Sequence, residues 1–277
     1  MSEDYYAELD EQLEPARIDG WRHRLEQCLR FEVVRRALNI GAESSVIDLG
    51  CGTGRLFEYL KKWGVGSYLG IDQRQSVIRR GRRDFPDARF LHSDLYSSVV
   101  EEDGPVDFAV AIGTLVDGIP TASAVQRSDE LRQLMARLDD LSTTGWALVV
   151  LNQDRLDENP VRSLEPCLTG ASRRDIEVAL DDLGFDAAID ERCLPTDIFV
   201  LKRRGAPTQS VLSRVAGDVP HQTVLDIAAE GGDGFDAADE VWFWGVTGRT
   251  ERARRALSAL PDDHHRKRLL AARLRNK

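Results

Sequence analysis

The sequence predicts an α/β fold, an open and mostly parallel sheet with helices on both faces. Three observations carry that expectation. Short apolar runs with a carboxylate at or just past their end recur at residues 44–49, 67–72 and 88–93, each of strand length and β-type composition. Gly50, Gly52 and Gly54 then mark a sharp turn from the first run into a helical pattern, because closely spaced glycines free the backbone for a tight strand-to-helix turn. Two further apolar runs, 106–112 and 146–152, flank an amphipathic stretch over 124–141, the crossover that parallel strands require.

Each element follows in order. Residues 22–38 place Leu25, Cys28, Leu29, Val33 and Ala37 at helical spacing. The helix after the glycine turn runs over 54–63 and stops at Gly64. Residues 74–84 form a helix dense in arginine (Arg74, Arg79, Arg80, Arg82, Arg83), read as a solvated outer face. His92 closes the strand 88–93 and is read as structural. In the helix Ala124–Leu141, Leu131, Leu134, Met135, Leu138 and Leu141 share one face. Gly145 ends that crossover, before strand 146–152. Ser172-Arg-Arg-Asp175 reads as a capping box opening a helix that ends at Gly184. Residues 185–194 and 196–203 are expected as two last strands joined at Pro195, making seven.

Beyond residue 204 the pattern changes. Gly205-Ala-Pro-Thr-Gln-Ser is linker-like, 211–229 is helical with an interruption at Pro220, and 231–234 is a glycine-rich turn. Residues 240–247 are expected as a strand with Trp242 and Trp244 on one side, in a small core. A terminal helix is expected over 262–275, with Leu269, Leu270 and Leu274 facing the protein. This extension could be an appended domain, a substrate cover or the interface of a homodimer.

Composition excludes several classes. The 277 residues are 42% hydrophobic and 30% charged, enough for one large domain and a smaller piece. No apolar run is long enough to cross a membrane, and the acidic N-terminus has no apolar signal core. Cys28, Cys51, Cys167 and Cys193 are scattered without a C-x-x-C pair, which points to reduced thiols in a cytoplasmic protein and to no metal site. Net charge is −10, but residues 249–277 hold ten basic and three acidic side chains, +7, leaving −17 on the rest. An acidic body argues against nucleic acid as a partner; the basic tail is read as a solvated helix packed on that body.

The loop chemistry narrows the ligand. A dinucleotide fingerprint is G-x-G-x-x-G. Here it is G-x-G-x-G, and Asp48 precedes the first glycine by two residues. A carboxylate at the loop mouth repels phosphate and suits an ammonium group. No phosphate-binding G-x-x-x-x-G-K-[ST] occurs. Asp72 lies about twenty residues downstream, where a second strand presents an acid to a ribose hydroxyl pair; that spacing is shared with NAD-binding folds.

The run Asp48-Leu-Gly-Cys-Gly-Thr-Gly54 resembles the first motif of the class I S-adenosylmethionine-dependent methyltransferases, and the resemblance extends over about residues 41–204. It implies a Rossmann-like seven-stranded sheet, order 3-2-1-4-5-7-6 with one antiparallel strand, behind an N-terminal helical lid (residues 1–40) and ahead of the extension 205–277. It also implies S-adenosylmethionine as cofactor. Asp48, Gly50, Cys51, Gly52 and Gly54 would hold the methionine end, Asp72 the ribose, and Asp94 and Leu95 the adenine; Gln73 and Ile112 would also bind the cofactor, and the end of the fourth strand with the loop after it would face the transferred methyl. Arg24 or Arg30, on the lid helix, would pair with the cofactor carboxylate. The amide-nitrogen branches carry Asn/Asp-Pro-Pro-Tyr/Phe after the fourth strand; this chain has Gly113-Thr-Leu-Val-Asp117. A small-molecule methyl acceptor is therefore expected, methylated by in-line displacement. Asp117, Asn152, Gln153 and Asp154 lie where an acceptor should sit, and none is marked as a base by more than position. The alternatives are a methyltransferase acting on RNA or protein, a non-catalytic cofactor-binding protein, or a nicotinamide-dependent enzyme.

Overall fold

Seven strands form one sheet in the order β3-β2-β1-β4-β5-β7-β6. They are β1 (Ser45–Leu49), β2 (Ser67–Asp72), β3 (Arg89–His92), β4 (Val106–Ile112), β5 (Ser142–Leu151), β6 (Ala188–Asp190) and β7 (Asp197–Arg203). The computed structural model describes residues 24–97, 104–114, 124–157, 170–230 and 235–275. Strands β1 to β5 pair in parallel, and β7 is antiparallel to both β5 and β6. The expected order and the single antiparallel strand are both present.

The strands read as continuous apolar runs because both faces are covered. In β4, Phe108, Val110 and Ile112 join one core while Ala109 and Ala111 join the other, the period of two that a pleated strand imposes. The second core is closed by α4 (Ala124–Leu141) and α6 (Arg173–Leu183), whose Leu134, Met135, Ile176 and Ala179 are fully buried. The capping box is formed as expected: Ser172 accepts from the Asp175 backbone, and Gly184 ends α6 in the left-handed region. The first core lies under α1 (Arg24–Leu38), α2 (Arg55–Lys61) and α3 (Gln75–Asp84). Between β5 and α6 runs the short α5 (Gln153–Asp157).

The described elements of the extension are all helices: α7 (Thr208–Ser213), α8 (Val219–Glu230), α9 (Ala237–Val246), α10 (Thr250–Ala259) and α11 (Lys267–Arg275). Val224, Val241, Phe243, Trp244, Leu270 and Leu274 belong to the same core as Leu25, Leu29 and Phe31 of α1. The extension thus covers the outer side of the first helix layer.

Several expectations are corrected. Residues 240–247 are a helix, because Asp236 caps α9 through the backbone of Ala238 and Asp239 and Asp239 returns the bond; Trp244 is fully buried and Trp242 only partly. Gly145 lies inside β5, where a Cβ would meet the Lys202 carbonyl at 2.5 Å, so close strand approach explains that glycine and not the end of a helix. The strand expected over 185–194 shrinks to β6. Pro220 sits in the first turn of α8, where the donor a proline lacks is unused anyway, and the interruption falls before it, at residues 214–218 between α7 and α8. The terminal helix begins at Lys267, and Leu269 is 59% exposed while Leu270 and Leu274 are buried. His92 is exposed, and its Nε2 lies 2.9 Å from the Gln73 carbonyl, a structural link from β3 to the β2–α3 turn. The lid segment before residue 24, Cys167 and the turn 231–234 lie outside the described residues.

Candidate cofactor site at the carboxyl ends of the strands

After Leu49 the backbone N–H groups of Gly50 and Cys51 both donate to the Ile71 carbonyl, at 2.8 and 3.0 Å. This pins the loop to the end of β2. Gly50, Gly52 and Gly54 have φ of +77°, +53° and +85°, left-handed values that a side chain makes costly. Space is also short. A Cβ at Gly50 would lie 2.7 Å from the Thr114 side chain, and one at Gly54 would lie 2.6 Å from the Phe90 ring. Thr114 in turn donates its hydroxyl to the Leu49 carbonyl at 2.7 Å, tying the turn after β4 to the loop. Cys51 is buried, and a Cβ on Gly70 would meet its Sγ at 2.8 Å; its thiol fills the space beside β2.

Asp72 is the organising carboxylate. It is 5% exposed. Its Oδ2 accepts the Gly52 backbone N–H at 3.0 Å, and its Oδ1 accepts the Arg74 backbone N–H at 2.8 Å. Each carboxylate oxygen has two lone-pair sites, so both backbone bonds orient the group and still leave acceptor capacity for a hydroxyl pair. Asp48 is buried at the end of β1, and its Oδ2 accepts the Tyr68 hydroxyl at 2.5 Å. Tyr68 is held among Phe57 and Phe90, with ring centroids 5.2 and 6.0 Å away. At the neighbouring ends, Gln73 is exposed, Asp94 is exposed with its Oδ1 accepting the Tyr96 N–H at 2.7 Å, and Leu95 packs on the second core. Ile112 is buried where β4 ends. The glycine loop and Asp72 therefore form one hydrogen-bonded unit beside Asp48, flanked by Gln73, Asp94, Leu95 and Ile112.

Arg30 has a partner that the sequence did not suggest. Its Nε and Nη2 donate to Oδ1 and Oδ2 of Asp197, both at 2.7 Å, with the two residues 2% and 1% exposed. Asp197 pairs in register with Leu151 at the end of β5. The guanidinium is thus committed to the β5–β7 side of the sheet, where a planar fork meets a carboxylate two-fold. This pairing of residues 167 apart had no local signal in the sequence.

Of the acceptor-side candidates, Asn152 is buried at the end of β5, and its Nδ2 donates to Glu191 Oε1 at 2.9 Å. Glu191 Oε2 accepts from Arg173 at 2.9 Å, so the amide is held from behind. Gln153 accepts the Gly170 backbone N–H through Oε1 at 3.1 Å. Asp154 is exposed on α5. Asp117 lies outside the described residues. Among the described residues no cluster of three or more His, Cys, Asp or Glu could hold a metal ion. Part of the basic tail is matched within the extension: Arg249 and Arg252 pair with Asp218 at 3.0 and 2.5 Å, and Arg266 with Asp239 at 2.8 Å.

These features define an open, doubly wound α/β protein whose ligand loop sits outside the carboxyl ends of its strands, where such sheets bind. Residues 46–137 match the family model described as a methyltransferase domain. That match spans about a third of the chain, and the sheet order above is the one that the resemblance to the class I S-adenosylmethionine-dependent methyltransferases implies. Its relatives include a trans-aconitate 2-methyltransferase of Rhodopseudomonas palustris (strain BisB5), 29% identical over 142 residues, covering 48% of this chain and 51% of that one. The corresponding protein of Afipia carboxidovorans is 30% identical over 130 residues, covering 39% and 51%. The chain spans about half the length of the curated relatives it matches. Among solved structures, the N-methyltransferase NodS of Bradyrhizobium japonicum WM9, in complex with S-adenosyl-L-homocysteine, superposes with a TM-score of 0.51 at 15% identity, over 74% of this chain and all of that one. That likeness is one of fold.

Proposed function

We propose that this chain transfers the methyl group of S-adenosylmethionine to a small-molecule acceptor by in-line displacement. The observation that carries the reading is the Asp72–Gly52 cradle: a pre-oriented strand-end carboxylate bonded to a left-handed glycine loop that a Cβ would obstruct. Relatives that methylate trans-aconitate, and a fold neighbour crystallised with S-adenosyl-L-homocysteine, support it.

In this reading Asp72 and Gln73 take the ribose, Asp94, Leu95 and Ile112 the adenine, and the backbone of residues 50–54 the methionine end, with the Asp48 charge favouring its ammonium. When bound, the cofactor supplies a methyl group already activated on a sulfonium. The protein's own task is placement, and orientation of a nucleophile is worth ~7–11 kcal/mol of a barrier. The acceptor would lie over the ends of β4 and β5, beside Asn152 and Asp154. Asn152 is an amide already bonded to Glu191, so it suits orienting an acceptor and cannot serve as a base. Residues 41–204 are the catalytic domain in this reading, and the extension buttresses α1. We also infer a cytoplasmic protein, from cysteines scattered without a C-x-x-C pair.

The test is transfer of a labelled methyl group from S-adenosylmethionine into a deproteinised, nucleic-acid-free metabolite extract. Label in a small-molecule fraction is expected. Label confined to added RNA or protein would overturn the acceptor class, and no label in any fraction would count against the activity.

A further inference from the structure

A cavity of about 190 Å³ lies between α1 and α2, roofed by α8 and by Phe235 and Asp239 at the start of α9. None of Asp48, residues 50–54, Asp72 or Asp94 lines it, so it is separate from the candidate cofactor site. One wall is apolar: Phe31, Val224, Ile227 and Phe235. The other carries three cations, Arg24, Arg55 and Lys62, against two carboxylates, Glu58 and Asp239, a surplus of one positive charge. Glu58 is shared, accepting from Arg55 at 2.8 Å and Arg24 at 3.5 Å. Lys62 has no carboxylate partner among the described residues.

We propose that this cavity is a binding site for a small apolar carboxylate of single-ring or branched-aliphatic size. Its volume exceeds the ~150 Å³ apolar cavity known to admit a benzene ring, so a single ring fits. An apolar wall facing surplus positive charge selects a compact acid: the ring desolvates against Phe31 and Phe235, and the carboxylate meets the charges of Arg55 and Lys62. The small cavity suits an accessory ligand and stands apart from the methyl-transfer reading.

The test is titration calorimetry of the full chain, without cofactor, using phenylacetate and its neutral isostere phenylacetamide. Saturable binding of the acid, and much weaker binding of the amide, is expected. Ala228→Trp, which fills the cavity from α8, should abolish binding while thermal unfolding shows the fold intact. Lys62→Gln should weaken the acid by up to about fivefold, the size of a surface ion pair, and leave the amide unchanged. No saturable binding of the acid, equal binding of acid and amide, or binding that survives Ala228→Trp in a folded protein would each overturn the proposal. Since no adenosyl ligand is present, these outcomes are independent of whether the methyltransferase reading holds.

Discussion

The carboxylate of Asp72 accepts the backbone N–H of Gly52 at 3.0 Å, joining the end of β2 to the middle of the glycine loop. One residue therefore serves both the loop's shape and the expected ribose contact. Asp72→Ala should cost about 1–3 kcal/mol of affinity for S-adenosylhomocysteine, the loss of charged hydrogen bonds, or roughly tenfold to a hundredfold. Asp72→Asn should lose less, because its carbonyl oxygen still accepts. Calorimetric titration of both variants checks this; unchanged affinity in Asp72→Ala would remove the ribose role.

The glycines of the chain differ in kind. Gly54 has φ +85° and no room for a Cβ beside Phe90, whereas Gly184 has φ +66° and nothing within 4 Å. Gly184→Ala should cost about 1–2 kcal/mol for the left-handed backbone alone. Gly54→Ala adds a clash with a buried ring and should cost clearly more, by roughly 1–3 kcal/mol of overpacking. Urea unfolding of the two variants measures the difference, and equal losses would mean that Phe90 yields without cost.

His221 gives the extension a pH dependence. It is fully buried, stacks on Trp244 at 5.8 Å, and its Nε2 lies 2.7 Å from the Cys193 carbonyl. Burial first, then the charge of Arg249, lowers its pKa from 6.5 to about 4, against the opposing pull of the Cys193 carbonyl and Asp218. The folded value is below the unfolded one, so the unfolded chain binds the extra proton. Stability from this residue is complete above about pH 6.5 and is lost as pH falls toward 4, by up to about 3 kcal/mol. Denaturant midpoints between pH 7 and 5 should therefore fall less steeply in His221→Phe than in the unmodified protein; parallel curves would show that the ring protonates freely in place.

Arg30 and Asp197 form a buried pair with two 2.7 Å bonds. Removing either partner strands a charge, at a cost of about 3–5 kcal/mol. Arg30→Met and Asp197→Leu should each be strongly destabilising, and the double variant should recover most of the loss. Additive losses in a double-mutant cycle would mean that the pair is not coupled.

Much of this architecture was legible in the chain. Apolar runs ending at Asp48, Asp72 and His92 became parallel strands, because buried parallel strands read as continuous apolar stretches. The loop glycines were equally legible, since few other residues tolerate φ near +80°. Residues 240–247 were not: Val-Trp-Phe-Trp is apolar at every position, so period cannot separate strand from buried helix, and the deciding signal was the reciprocal cap between Asp236 and Asp239. Arg30 illustrates the other limit. Its helix was predicted, but its partner is 167 residues away and set by how β7 is inserted between β5 and β6.

The most direct measurement is titration calorimetry of the unmodified full chain with S-adenosylmethionine, S-adenosylhomocysteine and NAD. Saturable binding of both adenosyl sulfur ligands is expected, with no binding of NAD, because the G-x-G-x-G loop lies above the buried carboxylate of Asp48 where a pyrophosphate would be repelled. Tight binding of NAD with no response to the other two would contradict it.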